Sequence, residues 1–151
     1  GRMGEVNVSV ATMIPKAHTP FQWQAMLTID EIRRRQRYIR TGIRSRRIKL
    51  KFHQPELTIL EAVFNRGDRR LADVIYGAWQ LGARFDQYGE VFRYDLWKEA
   101  FGGCGIMMDD YLSSRDYSEP LAWDHIDTGV SKDYLIEESK KATELALEVV
   151  G

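Results

Sequence analysis

The sequence predicts an α/β chain in two parts, a strand–helix–strand unit over residues 1–54 and a mostly helical lobe over residues 55–151. Three observations predict it. Alternating apolar residues open the chain, an arginine-rich stretch with an apolar helical stripe follows, and apolar spacing after Pro55 stays helical. At 151 residues and 44% hydrophobic the chain is long enough for one core, or for two lobes.

Val6, Val8, Val10, Thr12 and Ile14 share one face of the first segment, with Asn7, Ser9, Ala11 and Met13 on the other. Period two in β-branched residues predicts a strand. Pro15 ends it, and Pro20 keeps the next stretch extended. Thr28-Ile29-Asp30-Glu31 has the spacing of a capping box, so a helix should start there. Ile29, Ile32, Ile39 and Ile43 mark its narrow apolar stripe. Ile48, Leu50 and Phe52 alternate with Lys49, Lys51 and His53, which predicts a second strand with one wet face.

Pro55 suits the first turn of a helix, where its missing N–H is not needed. Leu57, Leu60, Val63 and Phe64 give that helix its inner side, Gly67 is placed to end it, and Asp68 to cap the next. Leu71, Val74, Ile75, Ala78, Trp79 and Gly82 form the clearest helical series in the chain. Beyond it, Tyr94–Phe101 reads as a short helix stopped by Gly102-Gly103, and Met107–Leu112 as another. Ser114–Thr128 reads as irregular loop containing Pro120. Ser131 is placed to cap a last helix to about Val150, with Leu135, Ala142, Leu145, Ala146 and Val149 inward.

The formal net charge is zero, so the total gives no general pull toward nucleic acid or membrane. The charges are nevertheless segregated. Arg33 to Lys51 holds ten basic residues and no acidic one, whereas Asp109 to Glu148 holds eleven acidic against four basic. Cys104 is the only cysteine, which excludes an internal disulfide and a thiolate cluster built from this chain. No apolar run approaches the roughly 20 residues of a membrane span, and no apolar segment follows Gly1-Arg2-Met3-Gly4 as in a signal peptide. A soluble cytoplasmic protein is the expectation.

The loop from Ile14 to Trp23 is the first candidate site. It follows a strand directly, where α/β folds place their ligands, and offers Lys16, His18, Thr19, Gln22 and Trp23 between two prolines. The alternative is a stiff loop that packs Phe21 and Trp23. Arg66, Arg69 and Arg70, around the Gly67-Asp68 turn, are candidate anion ligands beside a helix start; the alternative is a turn held by Asp–Arg hydrogen bonds. The Arg33–Lys51 surface suits phosphates of RNA, or is a solvated helix face. His18, His53 and His125 are the only histidines. Asp124-His125-Ile126-Asp127 lacks a second His or Cys at ligand spacing, so no metal site is expected. Serine-nucleophile, phosphate-loop and dinucleotide motifs are absent.

The runs VNVSVATMIPKAHTPFQW, LEAVFNRGDRRLADVI, AWQLGARFD, LAWDHIDTGVSKDYL and EESKKA occur in order between Val6 and Ala142. Together they resemble a largely uncharacterised bacterial family of radical S-adenosylmethionine (SAM) proteins with a cobalamin-binding-like domain ahead of the barrel. The resemblance implies that Val6–Ile14 is a late strand of a partial (β/α)6 barrel. Lys16, His18 and Ser9 would then lie near the SAM or substrate cavity, and residues from Pro55 on would form a helical extension. It implies a parent that uses a 4Fe-4S cluster and SAM, and it leaves cobalamin open. The family's CxxxCxxC is absent here, so the chain is expected to be a fragment that holds no cofactor and catalyses nothing alone. Ala17 stands where relatives commonly carry proline, and Met13 where an aromatic is usual, which loosens the loop. The expected partner is the remainder of the parent chain. Two other readings compete: an RNA-binding module using the arginine run, and a helical interaction domain that self-associates through an exposed apolar side.

Overall fold

Val6–Val10 (β1) and Ile48–Phe52 (β2) pair in parallel, with Val6 opposite Ile48, Val8 opposite Leu50 and Val10 opposite Phe52. Helix α1 (Ile29–Gly42) lies between them in sequence, so the expected strand–helix–strand unit is present. In the computed structural model residues 4–86 and 88–150 are described, the last four of these by backbone alone. The other elements are helices: α2 (Pro55–Asn65), α3 (Leu71–Gln80), α4 (Tyr94–Gly103), α5 (Asp109–Leu112) and α6 (Lys132–Val150). Over the described residues the fold is thus α+β, rich in helix, with one small parallel sheet. No described helix is long and apolar enough to cross a membrane.

β1 stops at Val10, short of the expected Ile14. The reason is its partner: β2 ends at Phe52, His53 N still donates to Val10 O at 3.4 Å, and α2 begins at Pro55. Thr28 caps α1 as expected, its hydroxyl accepting from Glu31 N at 3.2 Å. Only half of the capping box forms, because Arg34 and Arg35 hold the Glu31 carboxylate at 2.7–2.8 Å. Those hydrogen bonds lower its pKa to about 2.

Thr58, Ile59, Leu60, Ala62 and Val63 are all buried in α2, which is therefore enclosed on more than one side. Leu60 and Val63 meet Leu71, Val74, Ala78, Trp97 and Phe101 in the main core, while Ile59 and Ala62 meet Met26 and Ile32 in a second. Gly67 follows the helix but has no left-handed φ. Its role is space, since a Cβ there would lie 2.1 Å from Leu71 Cδ1 and 3.1 Å from Val63 O. Asp68, expected to cap the next helix, instead caps the turn ahead of it. Its Oδ1 accepts from Arg70 N at 2.9 Å, and α3 starts one residue later.

The apolar series on α3 divides. Leu71, Val74 and Ala78 are buried against α4, but Ile75 and Trp79 are exposed, with Tyr76 stacked on Trp79 at 5.8 Å. Cover comes from one side only, where Gly77 approaches Ala100 closely. α4 runs through Gly102-Gly103 rather than stopping before them, and Gly105, at φ 65°, makes the turn that ends it.

Ser131 caps α6 as expected, its hydroxyl accepting from Tyr134 N at 3.2 Å. The expected inner face holds for Leu135, which is buried, and partly for Ala142. It fails for Leu145, 62% exposed, and for Ala146. Among the described residues, those that cover α6 reach no further than its middle: Tyr117 OH bonds Ser139 Oγ at 3.0 Å, and Leu121 and Trp123 pack on Leu135. Val149 lies outside the described side chains.

Candidate functional site

Three linked turns shape the loop after β1. Thr19 Oγ1 donates to Lys16 O at 2.7 Å, Gln22 N to Thr19 O and Gln24 N to Phe21 O, both at 3.0 Å. Within them His18 sits at φ 56°, a left-handed conformation that costs a side-chain-bearing residue of order 1–3 kcal/mol. The reason it persists lies across the chain. Gln22 is 2% exposed, and its Oε1 accepts from His18 N at 3.0 Å and from Trp123 Nε1 at 2.6 Å. Trp23 is buried among Leu121, Trp123 and Leu135, edge-on to Tyr117 at 5.0 Å.

This docking forms a cleft of about 350 Å³ lined by His18, Gln22, Asp124, His125, Ile126, Asp127, Val130, Lys132 and Leu135. A broader hollow adjoins it, lined by Gly67, Asp68, Arg69, Arg70, Ala122 and the same His125. The loop and the arginine turn, read separately in the sequence, thus lie on either side of one histidine. Burial pushes the Asp124 carboxyl up. The Leu121 N–H, the Lys132 ammonium at 3.2 Å and the nearby His18 outweigh that and leave it below its ordinary value. Asp127 accepts from Gly129 N at 2.8 Å.

The other candidates are divided by their surroundings. Lys16 points to Glu61 on α2 at 3.9 Å, Ser9 lies on the polar face of β1 opposite Lys51, and the Thr19 hydroxyl serves its turn. Neither Lys16, Ser9 nor Thr19 lines the cleft. Trp23 is a packing residue and does not line it either. Arg66, expected at an anion site, is fully buried, with Nη1 donating to Gln24 O at 2.9 Å and Nη2 to Ser113 O at 2.8 Å. It holds segments together and does not reach the hollow. Arg70 is bidentate to Asp68 and lies over Tyr111, the Asp–Arg alternative weighed for this turn; Asp68 is held below the carboxylate range chiefly by that hydrogen bond. Arg69 is exposed and makes no ion pair among the described residues.

The Asp124–Asp127 segment was not legible as part of a site. Its sequence signal is the pair of large apolar residues Leu121 and Trp123, with Tyr117 and Ile126 in the same loop. Cys104 is exposed at the end of α4. Comparison with protein-family models, with curated proteins and with solved structures finds no match for this chain.

The strain at His18 has a measurable consequence. His18→Gly should raise the thermal midpoint by about 2–4 °C, as expected for roughly 1 kcal/mol in a chain of this size. His18→Ala keeps the left-handed position and should not raise it. A fall with glycine would show that the imidazole stabilises the loop by more than its backbone costs.

Proposed function

We propose that this chain is the C-terminal part of a radical SAM protein, contributing a wall of the barrel, the cleft beside it and a helical extension. The observation that carries the reading is the parallel β1–α1–β2 unit whose next loop, from the C-terminal end of β1, builds the cleft. Parallel strands joined by a helix belong to larger, covered sheets, and ligands of such sheets gather at the carboxyl ends of the strands. A two-stranded sheet with Val6 more than half exposed fits a piece of such a wall.

The residues present do not fit the iron–sulfur cluster itself. It requires several thiolates, and Cys104 is the one cysteine of the chain. In this reading the cluster, and the reductive chemistry it supplies, belongs to other parts of the parent. The part played here is positional: Gln22 and His18 hold one wall of the cavity, and the helical lobe carries the opposite wall through Trp123.

RNA binding by the arginine run has less support. Arg33, Arg34 and Arg35 are engaged by Glu56 and Glu31, and Lys49 by Glu5. The test of the leading reading is the coding sequence ahead of Gly1. An in-frame CxxxCxxC within roughly 250 codons, the length of a barrel domain, is the expected result. An upstream frame without that motif, or a start codon directly ahead of Gly1, overturns it.

A further inference from the structure

Gln22 is the most constrained polar side chain in the cleft. His18 N and Trp123 Nε1 are both obligate donors, so the oxygen of the amide must face them and the Nε2 group must face the other way. That NH2 group meets no acceptor among the described residues, although the residue is 2% exposed and lines the cleft. The group is not fully enclosed: held in one orientation, this donor opens onto the cleft and is satisfied there by water or by an acceptor that enters. Beside it stand the imidazoles of His18 and His125, further donors, and the apolar groups of Ile126, Val130 and Leu135.

We propose that the cleft binds a small carboxylate with a short apolar body, its oxygens accepting from Gln22 Nε2 and the flanking imidazoles. The volume of about 350 Å³ is at the small end of ligand pockets. Charge selects the class further. Lys132 balances Asp124, but Asp127 carries its charge beside the cleft. A dianion such as phosphate is repelled there twice as strongly as a single carboxylate. Arg69, across His125 in the adjoining hollow, supplies a compensating positive charge. The inference rests on this cleft being the working site and is independent of the chain's parentage. A missing upstream cysteine motif leaves it standing, and failed binding leaves the parentage standing.

The experiment is an NMR titration of the 151-residue chain, following the imidazole resonances of His18 and His125 with isovalerate, isovaleramide and inorganic phosphate as probes. Isovalerate is expected to bind saturably with Kd on the order of 1 mM, as befits a ligand of so few atoms. The amide should bind more weakly, and phosphate should leave both resonances unmoved. Gln22→Glu keeps an oxygen for His18 N and Trp123 Nε1 but replaces the free NH2 by a second oxygen. It should weaken isovalerate by about tenfold or more. If that variant does not fold, Val130→Trp fills the cleft from an exposed position and should abolish binding. The proposal is overturned if isovalerate moves neither histidine. It is also overturned if phosphate or the amide binds as tightly, or if a folded Gln22→Glu or Val130→Trp protein binds as the parent does.

Discussion

Replacing Arg66 by methionine should lower stability by about 2–4 kcal/mol, read as a fall in the urea midpoint at unchanged slope. Methionine nearly fills the volume, so the loss comes from hydrogen bonds. Arg66 donates to Gln24 O and to Ser113 O, while its own carbonyl accepts from Arg115 Nη2 at 3.3 Å. Around it, Met26 N bonds Leu112 O and Arg115 N bonds Trp23 O. One side chain therefore joins the end of α2 to the segment before α1 and to the segment after α5. Without it two carbonyls lose their donors, at about 1–3 kcal/mol each. Part of that is offset, because burial, with Arg115 close by, disfavours the charged guanidinium and lowers its pKa to about 10. The unfolded chain binds the proton more tightly, so this group's contribution to stability rises as pH increases above about 10. Arg66→Lys should fall between the two, since an ammonium lacks the fork that spans both carbonyls. A methionine variant within about 0.5 kcal/mol of the parent would mean that water replaces the guanidinium at both carbonyls.

Elements with a local cause were legible in the sequence, and contacts across the chain were not. The alternation at Val6–Val10 and Ile48–Phe52, the Thr28 cap and the Ser131 cap each depend on neighbours within a few residues, and each is present. Helix α3 was legible as a helix, but not in its buried face. Leu71 and Ile75 obey the same period, and only the position of α4 separates them. Gly67 is similar. A glycine after a helix reads as a stop, and nothing nearby says that Leu71 will occupy the space of its missing Cβ. At the site the limit is sharper. Three arginines in one turn look alike until Gln24 and Ser113, more than forty positions away on either side, claim Arg66. Gln22 and Trp123 are 101 positions apart, and their hydrogen bond sets the cleft. The loop is legible as a candidate, but its opposite wall has no local signature.

Trp23→Ala should cost about 3–5 kcal/mol, the usual range for removing a buried tryptophan. Its effect should be local to one half of the molecule. Trp23 belongs with Leu121, Trp123 and Leu135 to a cluster separate from the α2–α4 core. The ring fills the space between the loop after β1 and the start of α6, and Tyr117 meets it edge-on. With the ring gone, Trp123 loses the surface that aligns its N–H with Gln22, so the cleft should open before the molecule unfolds. Hydrogen exchange separates the two effects: amides of residues 121–139 should lose protection, while those of Leu60, Val63 and Val74 keep theirs. Trp23→Phe is the control. Its smaller ring leaves some space, but the indole Nε1 it removes is buried without an acceptor, so the loss should stay near 1 kcal/mol. Equal loss of protection in both clusters would show that the loop and the helical lobe unfold as one unit. The cleft would then be as stable as the core itself, not the first part of the chain to open.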